Sequence, residues 1–151
     1  MKFISSIGKA LAIAGLVSVC ISAQDVWPSQ ALLKPEQLAK QIRGSSPDKP
    51  LILFVGFAVL YRAAHIPTAV LAGPASTPEG LARLKSAVST LARERKLIIY
   101  CGCCPFPKCP NVKPAYRALR AMGFAHVHVL EIDENFHTDW VTKGYPVTRP
   151  S

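Results

Sequence analysis

Apolar and amphipathic segments alternate along this chain from about residue 35 onward. The continuous apolar runs have the length of strands, and they span residues 51–55, 97–100 and 127–130. The amphipathic stretches carry apolar residues at helical spacing, and they span residues 35–42, 78–91 and 112–122. Runs of the first kind predict strands buried on both faces, and stretches of the second kind predict helices packed on a sheet. The alternation therefore predicts an α/β domain with a mostly parallel central sheet flanked by helices on both faces.

Cap and stop residues mark where these helices begin and end. Thr77 followed by Pro78 is typical of a helix start, with Thr77 as the N-cap and Pro78 in the first turn. Asn111 is a residue type that caps helices, and Gly123 is typical of a helix end. Two weaker segments complete the pattern, a short strand at 69–71 and a short helix at 135–141.

Length and composition fit one folded domain. The chain has 151 residues, of which 50% are hydrophobic and 18% are charged. Intrinsically disordered chains have fewer apolar and more charged residues, so that class is excluded. Basic residues outnumber acidic ones by 18 to 9, but they are scattered, and no basic motif rich in aromatic residues accompanies them. We therefore expect no nucleic-acid partner and a surface that attracts small anions.

The N-terminal residues have the pattern of an export signal. Lys2 and Lys9 flank an N-terminal region that continues into an uncharged, mostly apolar run ending in Ile21-Ser22-Ala23. This pattern predicts a secretory signal peptide over residues 1–23, cleaved after Ala23, with an uncleaved anchor as the alternative. The run is shorter than the roughly 20 apolar residues that a membrane-spanning helix needs. We expect a periplasmic or secreted protein with no stable membrane insertion after cleavage.

Cleavage after Ala23 leaves a connecting segment, the folded domain and a short tail, which span residues 24–33, 34–147 and 148–151. Loss of Lys2 and Lys9 lowers the number of basic residues from 18 to 16, against 9 acidic residues, so the mature chain stays basic. Loss of Cys20 leaves four of the five cysteines, all within residues 101–109. An even number of cysteines in an oxidising compartment permits disulfides.

Those four cysteines follow the apolar run at 97–100. Cys101 comes directly after it, and a proline-rich loop leads from Cys101 to the helix that begins near Asn111. Ligands of parallel sheets bind beyond the carboxyl ends of the strands, and the N–H groups at a helix N-terminus favour anions. We therefore expect a lowered pKa at the Cys101 thiol, which would make this sulfur a nucleophile. The position of Cys101 indicates sulfur chemistry.

Several segments resemble the rhodanese-like (sulfurtransferase) domain family, in the same order, over about residues 34–147. The matching pieces are residues 51–55, Tyr61 with 64–69 (Ala-His-Ile-Pro-Thr-Ala), 98–101 (Ile-Ile-Tyr-Cys), 119–124 (Leu-Arg-Ala-Met-Gly-Phe), 127–130, and Trp140 with 144–147 (Gly-Tyr-Pro-Val). Each piece is weak by itself, but their order and spacing together imply a single rhodanese-like domain.

The resemblance implies a sulfurtransferase whose loop cysteine carries a sulfane sulfur as a persulfide. By position that cysteine is Cys101. The implied donor is a small anion, thiosulfate- or polysulfide-like, and the implied acceptor is a thiol or a cyanide-like nucleophile. The loop residues expected to bind substrate are Gly102, Cys103, Cys104 and Lys108. No glycine-rich phosphate-binding motif is visible, so we expect no organic cofactor.

The remaining loop cysteines keep other interpretations open. Cys103, Cys104 or Cys109 can act as a redox partner of Cys101, by attacking its persulfide or by forming a disulfide with it. A structural disulfide within the loop would pair Cys109 with Cys103 or Cys104, because adjacent cysteines bridge poorly. Four thiols within nine residues can also bind a soft ion such as Cu(I) or Zn(II), although we assign no metal ligand because zinc sites usually combine two separated pairs. The alternatives are therefore a thiol–disulfide redox protein and a non-enzymatic soft-metal-binding module.

Overall fold

The computed structural model describes residues 27–45 and 47–149, so the predicted signal peptide lies outside the described residues. Within the described part, no helix is long and apolar enough to cross a bilayer. The strands are β1 (Leu32–Leu33), β2 (Leu51–Phe54), β3 (Val70–Leu71), β4 (Leu97–Tyr100) and β5 (Val127–Leu130). The α-helices are α1 (Pro35–Arg43), α2 (Ala58–Ala63), α3 (Pro78–Val88) and α4 (Val112–Ala121). Short 3-10 turns span Ser29–Ala31 and Phe106–Lys108, and a π-helical turn spans His137–Val141.

The five strands form one parallel sheet in the order β1–β5–β4–β2–β3. Strand β4 lies at its centre and pairs with β2 along its whole length, from Leu97 beside Leu51 to Tyr100 beside Phe54. Strand β1 pairs with β5, so the sheet already begins within the segment expected to be a connection. The predicted α/β fold with a parallel central sheet is confirmed.

Helices cover both faces of this sheet. Successive side chains of a strand point to opposite faces. Leu97 and Ile99 of β4 join a core cluster that contains the buried residues of α3 and α4. Ile98 and Tyr100 join a second cluster with the buried residues of α1 and with Trp140 of the π-helical turn. All four β4 residues are fully buried, which explains why this strand reads as a continuous apolar run.

The two predicted helix caps have different outcomes. Helix α3 begins at Pro78, and the hydroxyl of Thr77 accepts the N–H of Gly80 at 3.0 Å, as predicted. Asn111 occupies the N-cap position of α4 as predicted, but its side chain makes no capping hydrogen bond. Its oxygen instead accepts the N–H of Ser76 at 2.9 Å, and its Nδ2 donates to the sulfur of Cys101 at 3.5 Å. Long-range contacts therefore use the polar groups that a cap would have used.

The strand order places a crevice between the ends of β2 and β4. Strand β2 leads through α2 to β3 on one side, whereas β4 leads through α4 to β5 on the other side. The connections diverge at this point, and a parallel sheet opens there to form the usual ligand crevice. Gly56 follows the end of β2 by two residues, and Cys101 follows the end of β4 directly. The topology thus brings the loop cysteines to the crevice.

Candidate functional site

Cys101 sits at the base of this crevice. The N–H of Val55 donates to the carbonyl of Tyr100 at 2.9 Å, so the pairing of β2 with β4 continues up to the residue before Cys101. The sulfur of Cys101 lies against Gly56, where a Cβ atom would be 2.6 Å from it. Gly56 is therefore the residue whose missing side chain leaves room for the sulfur. Cys101 is only 2% exposed.

Contacts with the segment after β5 hold the loop that follows Cys101. Gly102 has a φ of +79°, and a Cβ atom there would lie 2.6 Å from the Cβ of Phe136. The carbonyl of Gly102 accepts the N–H of Phe136 at 2.9 Å, and the N–H of Phe106 donates to the carbonyl of Ile132 at 2.8 Å. Glycine at 102 meets both requirements, the left-handed backbone and the close approach of Phe136.

A cavity of about 490 Å³ opens onto Cys101. Its walls come from the end of β2, from α2, from the cysteine loop, from the π-helical turn and from the chain end near Arg149. Apolar side chains form much of it, and the polar side chains Asn135, His137 and Arg149 join them. The lining residues are Phe54, Leu60, Ala63, Ala64, Cys101, Gly102, Cys103, Asn135, Phe136, His137, Val141 and Arg149. A cavity of this size admits a small anion or a small organic thiol.

The four loop cysteines are free thiols that gather around Cys103. The sulfur of Cys103 lies 3.4 Å from that of Cys101, 3.1 Å from that of Cys104 and 3.9 Å from that of Cys109. Cys101 and Cys109 are buried, whereas Cys103 is exposed. The sulfur atoms of Cys101, Cys103 and Cys109 all lie within 4.8 Å of one another, so these three side chains can hold one metal ion together.

Within this cluster, the surroundings of Cys109 stabilise its thiolate form. The neighbouring Cys101 thiol, whose sulfur lies within 4.8 Å, and the backbone N–H groups of Asn111 and Val112 all favour the thiolate form of Cys109. Together they lower the pKa of Cys109. The closeness of Cys109, together with burial, raises the pKa of Cys101. The expectation of a lowered pKa at Cys101 is therefore wrong, because the first N–H groups near α4 act on Cys109 instead.

The structure separates the residues that the sequence assigned to the site. Cys101, Gly102 and Cys103 line the cavity. Cys104 is partly buried and packs against the core cluster of α3 and α4, outside the cavity lining. Lys108 is exposed in a 3-10 turn, also outside that lining, and Cys109 is buried behind Cys101. Only the first part of the predicted substrate-binding set therefore faces the cavity.

Gly56 and Arg149 are among the contributors to the site that the sequence did not reveal. Gly56 is an ordinary loop glycine in the sequence, and only the approach of the Cys101 sulfur gives it a role. Arg149 lies in the segment assigned as a tail. An antiparallel bridge between His65 and Thr148 fixes the neighbouring backbone and brings Arg149 to the cavity. The sequence around His65 resembles the family, but nothing in it indicates that His65 pairs with Thr148 near the chain end.

Comparisons with known proteins agree with this architecture. No protein-family model matches the chain, and no curated protein matches it. The crystal structure of the Alr3790 protein from Anabaena sp. is similar, with a TM-score of 0.60 and 21% identity, over 78% of this chain and 91% of that chain. The solution structure of the rhodanese-like domain of Alr3790 gives a TM-score of 0.58 and 21% identity, over 80% of each chain.

A rhodanese-like domain protein from Staphylococcus aureus is similar as well. Its TM-score is 0.54 at 16% identity, over 80% of this chain and 98% of that chain. At these identities the likeness establishes the fold alone. The fold of this chain matches a rhodanese-like domain, which confirms the resemblance seen in the sequence.

Proposed function

We propose that this protein is an exported sulfurtransferase in which Cys101 carries a sulfane sulfur as a persulfide. One observation carries the proposal: Cys101 follows the central strand of a rhodanese-like fold and lines a cavity of about 490 Å³ at the strand ends. Cys109 has the lower pKa, but it is buried behind Cys101 and is not among the residues lining the cavity. Cys101 is therefore the buried thiol that a small donor can reach.

The proposed transfer balances with thiosulfate as the donor. The Cys101 sulfur attacks the outer sulfur of thiosulfate, a new S–S bond forms, and the S–S bond of thiosulfate breaks to release sulfite. The thiol proton has an acceptor close by, because the sulfur of Cys109, whose pKa is lowered, lies within 4.8 Å of the Cys101 sulfur. In the second half, a thiol or cyanide attacks the outer sulfur of the persulfide and removes it, which returns Cys101 to its starting state. This cycle uses no organic cofactor.

The cavity suits an anionic donor. Arg149 brings a positive charge to the lining, and the side chains of Asn135 and His137 add polar groups there. Thiosulfate and short polysulfides are anions, so a fixed positive charge in a partly apolar cavity attracts them more strongly than in open water. Donors and acceptors of this size are the proposed partners of the site.

Persulfide mass spectrometry tests the proposal directly. The reduced full chain is treated with thiosulfate and analysed intact and as peptides without reductant. We expect one added sulfur on Cys101, removable by cyanide and absent from Cys101→Ser. Cys104→Ser is the matched control, because it removes a loop thiol that lies outside the cavity lining, and it should still take up sulfur. Failure of the reduced protein to gain sulfur on Cys101 would exclude the proposal.

A thiol–disulfide function is the second candidate, and the short distance between Cys101 and Cys103 favours it. Their sulfurs are 3.4 Å apart, close enough for a disulfide to form with little movement. Such a protein would exchange a Cys101–Cys103 disulfide with substrate dithiols instead of carrying sulfur. The two functions separate in the same experiment, since a redox protein would give the reducible disulfide and no added sulfur.

Export is proposed from the signal-peptide pattern of residues 1–23. Expression of the full chain in a Gram-negative host, followed by fractionation and N-terminal sequencing, tests it. We expect the periplasmic or secreted fraction to contain a chain that begins at Gln24. Cytoplasmic protein that retains Met1 would count against export without affecting the sulfur chemistry.

A further inference from the structure

We propose that the sulfurs of Cys101, Cys103 and Cys109 form a three-coordinate site for Cu(I). The inference goes beyond sulfur transfer and does not depend on it. The three sulfurs come from both ends of the loop, are free thiols, and lie within 4.8 Å of one another. Gathering three sulfurs so closely without a covalent bond is the arrangement that a thiophilic ion requires.

The spacing of the sulfurs matches a trigonal metal site. A metal–thiolate bond is about 2.3 Å long, so three sulfurs placed evenly around one ion are about 4 Å apart. The distance from Cys103 to Cys101 is 3.4 Å, and the distance from Cys103 to Cys109 is 3.9 Å. The third distance is no greater than 4.8 Å. Shifts of well under 1 Å would therefore give all three metal–sulfur bonds.

The number and softness of the ligands select the ion. Among the described residues, no histidine or carboxylate joins the three sulfurs. Thiolates favour both Cu(I) and Zn(II), but structural Zn(II) sites are almost always four-coordinate, so a set of three sulfurs suits Cu(I) better. Cys104 is not a fourth ligand, because it is not among the sulfurs that all lie within 4.8 Å of one another, and its side chain packs against the core. Cu(I) is thus the ion that this donor set fits.

Hydrogen bonds around the cluster support thiolate ligands. The amide of Asn111 donates to the Cys101 sulfur at 3.5 Å. The backbone N–H groups of Asn111 and Val112 favour negative charge on the Cys109 sulfur. Donors of this kind orient metal ligands and offset their negative charge. Burial of Cys101 and Cys109 keeps water from two ligands, and the exposed Cys103 gives the ion a path in.

A Cu(I) titration of the full chain tests the site. The protein carries Cys20→Ser so that only loop thiols compete, is fully reduced under anaerobic conditions, and receives Cu(I) against a chromophoric Cu(I) chelator. We expect a single equivalent to bind, with X-ray absorption giving three sulfur neighbours at about 2.3 Å. Cys103→Ser and Cys109→Ser should each weaken binding at least about tenfold. Cys104→Ser should stay within about threefold of the parent, a change too small for loss of a ligand.

Each alternative result overturns the inference. If Cys103→Ser binds Cu(I) as tightly as the parent, the inference is wrong. This variant changes an exposed side chain, so a loss of binding would not reflect misfolding. Equal loss in Cys104→Ser, binding of several equivalents, or a fourth sulfur neighbour would show a different thiolate cluster. Zn(II) that resists displacement by one equivalent of Cu(I) would also contradict the assignment. Sulfur uptake from thiosulfate, measured on the metal-free protein, reports separately on the proposed transfer.

Discussion

The side-chain amide of Asn111 lies behind the sulfur of Cys101, with its Nδ2 3.5 Å from the sulfur. The other end of the amide accepts the N–H of Ser76 at 2.9 Å, and Asn111 is fully buried. Ser76 lies just ahead of α3, so one side chain joins the start of that helix to the cysteine loop. The orientation of the amide is therefore fixed, and its N–H favours the anionic form of the sulfur.

Asn111→Asp tests this contact with almost no change of shape. One carboxylate oxygen can still accept the Ser76 N–H, but the other replaces the donor that faces Cys101. Because a negative group opposes thiolate formation, we expect sulfur uptake from thiosulfate to slow at least about tenfold at neutral pH. Single-turnover uptake measured by quenched mass spectrometry checks the rate. An Asp variant as fast as the parent would show that the amide donor has no part in the reaction.

Asn111→Ala separates this effect from a structural one. It removes the amide altogether and leaves the Ser76 N–H without its partner. We expect the free energy of unfolding to fall by about 1–3 kcal/mol, as for other buried hydrogen-bonding groups left unpaired. Urea unfolding measures this loss. If Ala loses no stability, the bond between Asn111 and Ser76 does not hold the loop.

Gly56→Ala tests the room left for the Cys101 sulfur. The new methyl group would lie 2.6 Å from that sulfur and 3.0 Å from the ring of Phe54, so one of them must move. We expect the unfolding free energy to drop by about 1–3 kcal/mol and sulfur uptake to slow, because overpacking displaces the reacting atom. Gly44→Ala is the matched control, since its methyl group would meet only backbone oxygens at 3.5 Å or more. Equal stability of the two variants would contradict the assigned packing.

Much of the fold could be predicted because its signals are local. The apolar run at 97–100 is continuous because β4 is buried on both faces, and the Thr77–Pro78 pair marks the start of α3 because a cap needs only its own first turn. The two-residue strand Leu32–Leu33 has no such signal. Its strand conformation depends on pairing with β5, nearly 100 residues away. The local sequence pattern therefore cannot predict a strand whose pairing partner is so distant in sequence.

The site was less predictable because its chemistry depends on such distant contacts. Asn111 has the residue type of a cap, but its amide oxygen accepts the Ser76 N–H and its Nδ2 donates to the Cys101 sulfur. The N–H groups near α4 act on Cys109, so the lowered pKa belongs to a residue other than the one nearest the strand. The spacing of the cysteines identified the candidate loop, but it could not show which thiol has the lowered pKa.

His128 provides a test of stability against pH away from the cysteines. Burial lowers its pKa, and its Nδ1 is a buried atom without a hydrogen-bond partner. The unfolded chain binds a proton near pH 6.5, whereas the folded chain does so only at lower pH. The free energy of unfolding should therefore fall as the pH drops below about 6.5, and less steeply in His128→Gln. Urea unfolding at several pH values checks this, with the exposed His137→Gln as control. Parallel curves for parent and His128→Gln would refute it.

Arg149 tests whether the cavity recognises an anion. Among the described residues that line the cavity, it alone carries a permanent positive charge. Its charge attracts the donor before and during transfer alike, so Arg149→Gln should raise the half-saturating thiosulfate concentration about three- to tenfold and leave the saturated rate nearly unchanged. Added salt should weaken donor binding to the parent more than to the variant, because salt screens the lost attraction. Lys85→Gln, an exposed change on α3, is the charge-matched control. Equal salt dependence of parent and Arg149→Gln would show that the donor is attracted by charges elsewhere on this basic surface.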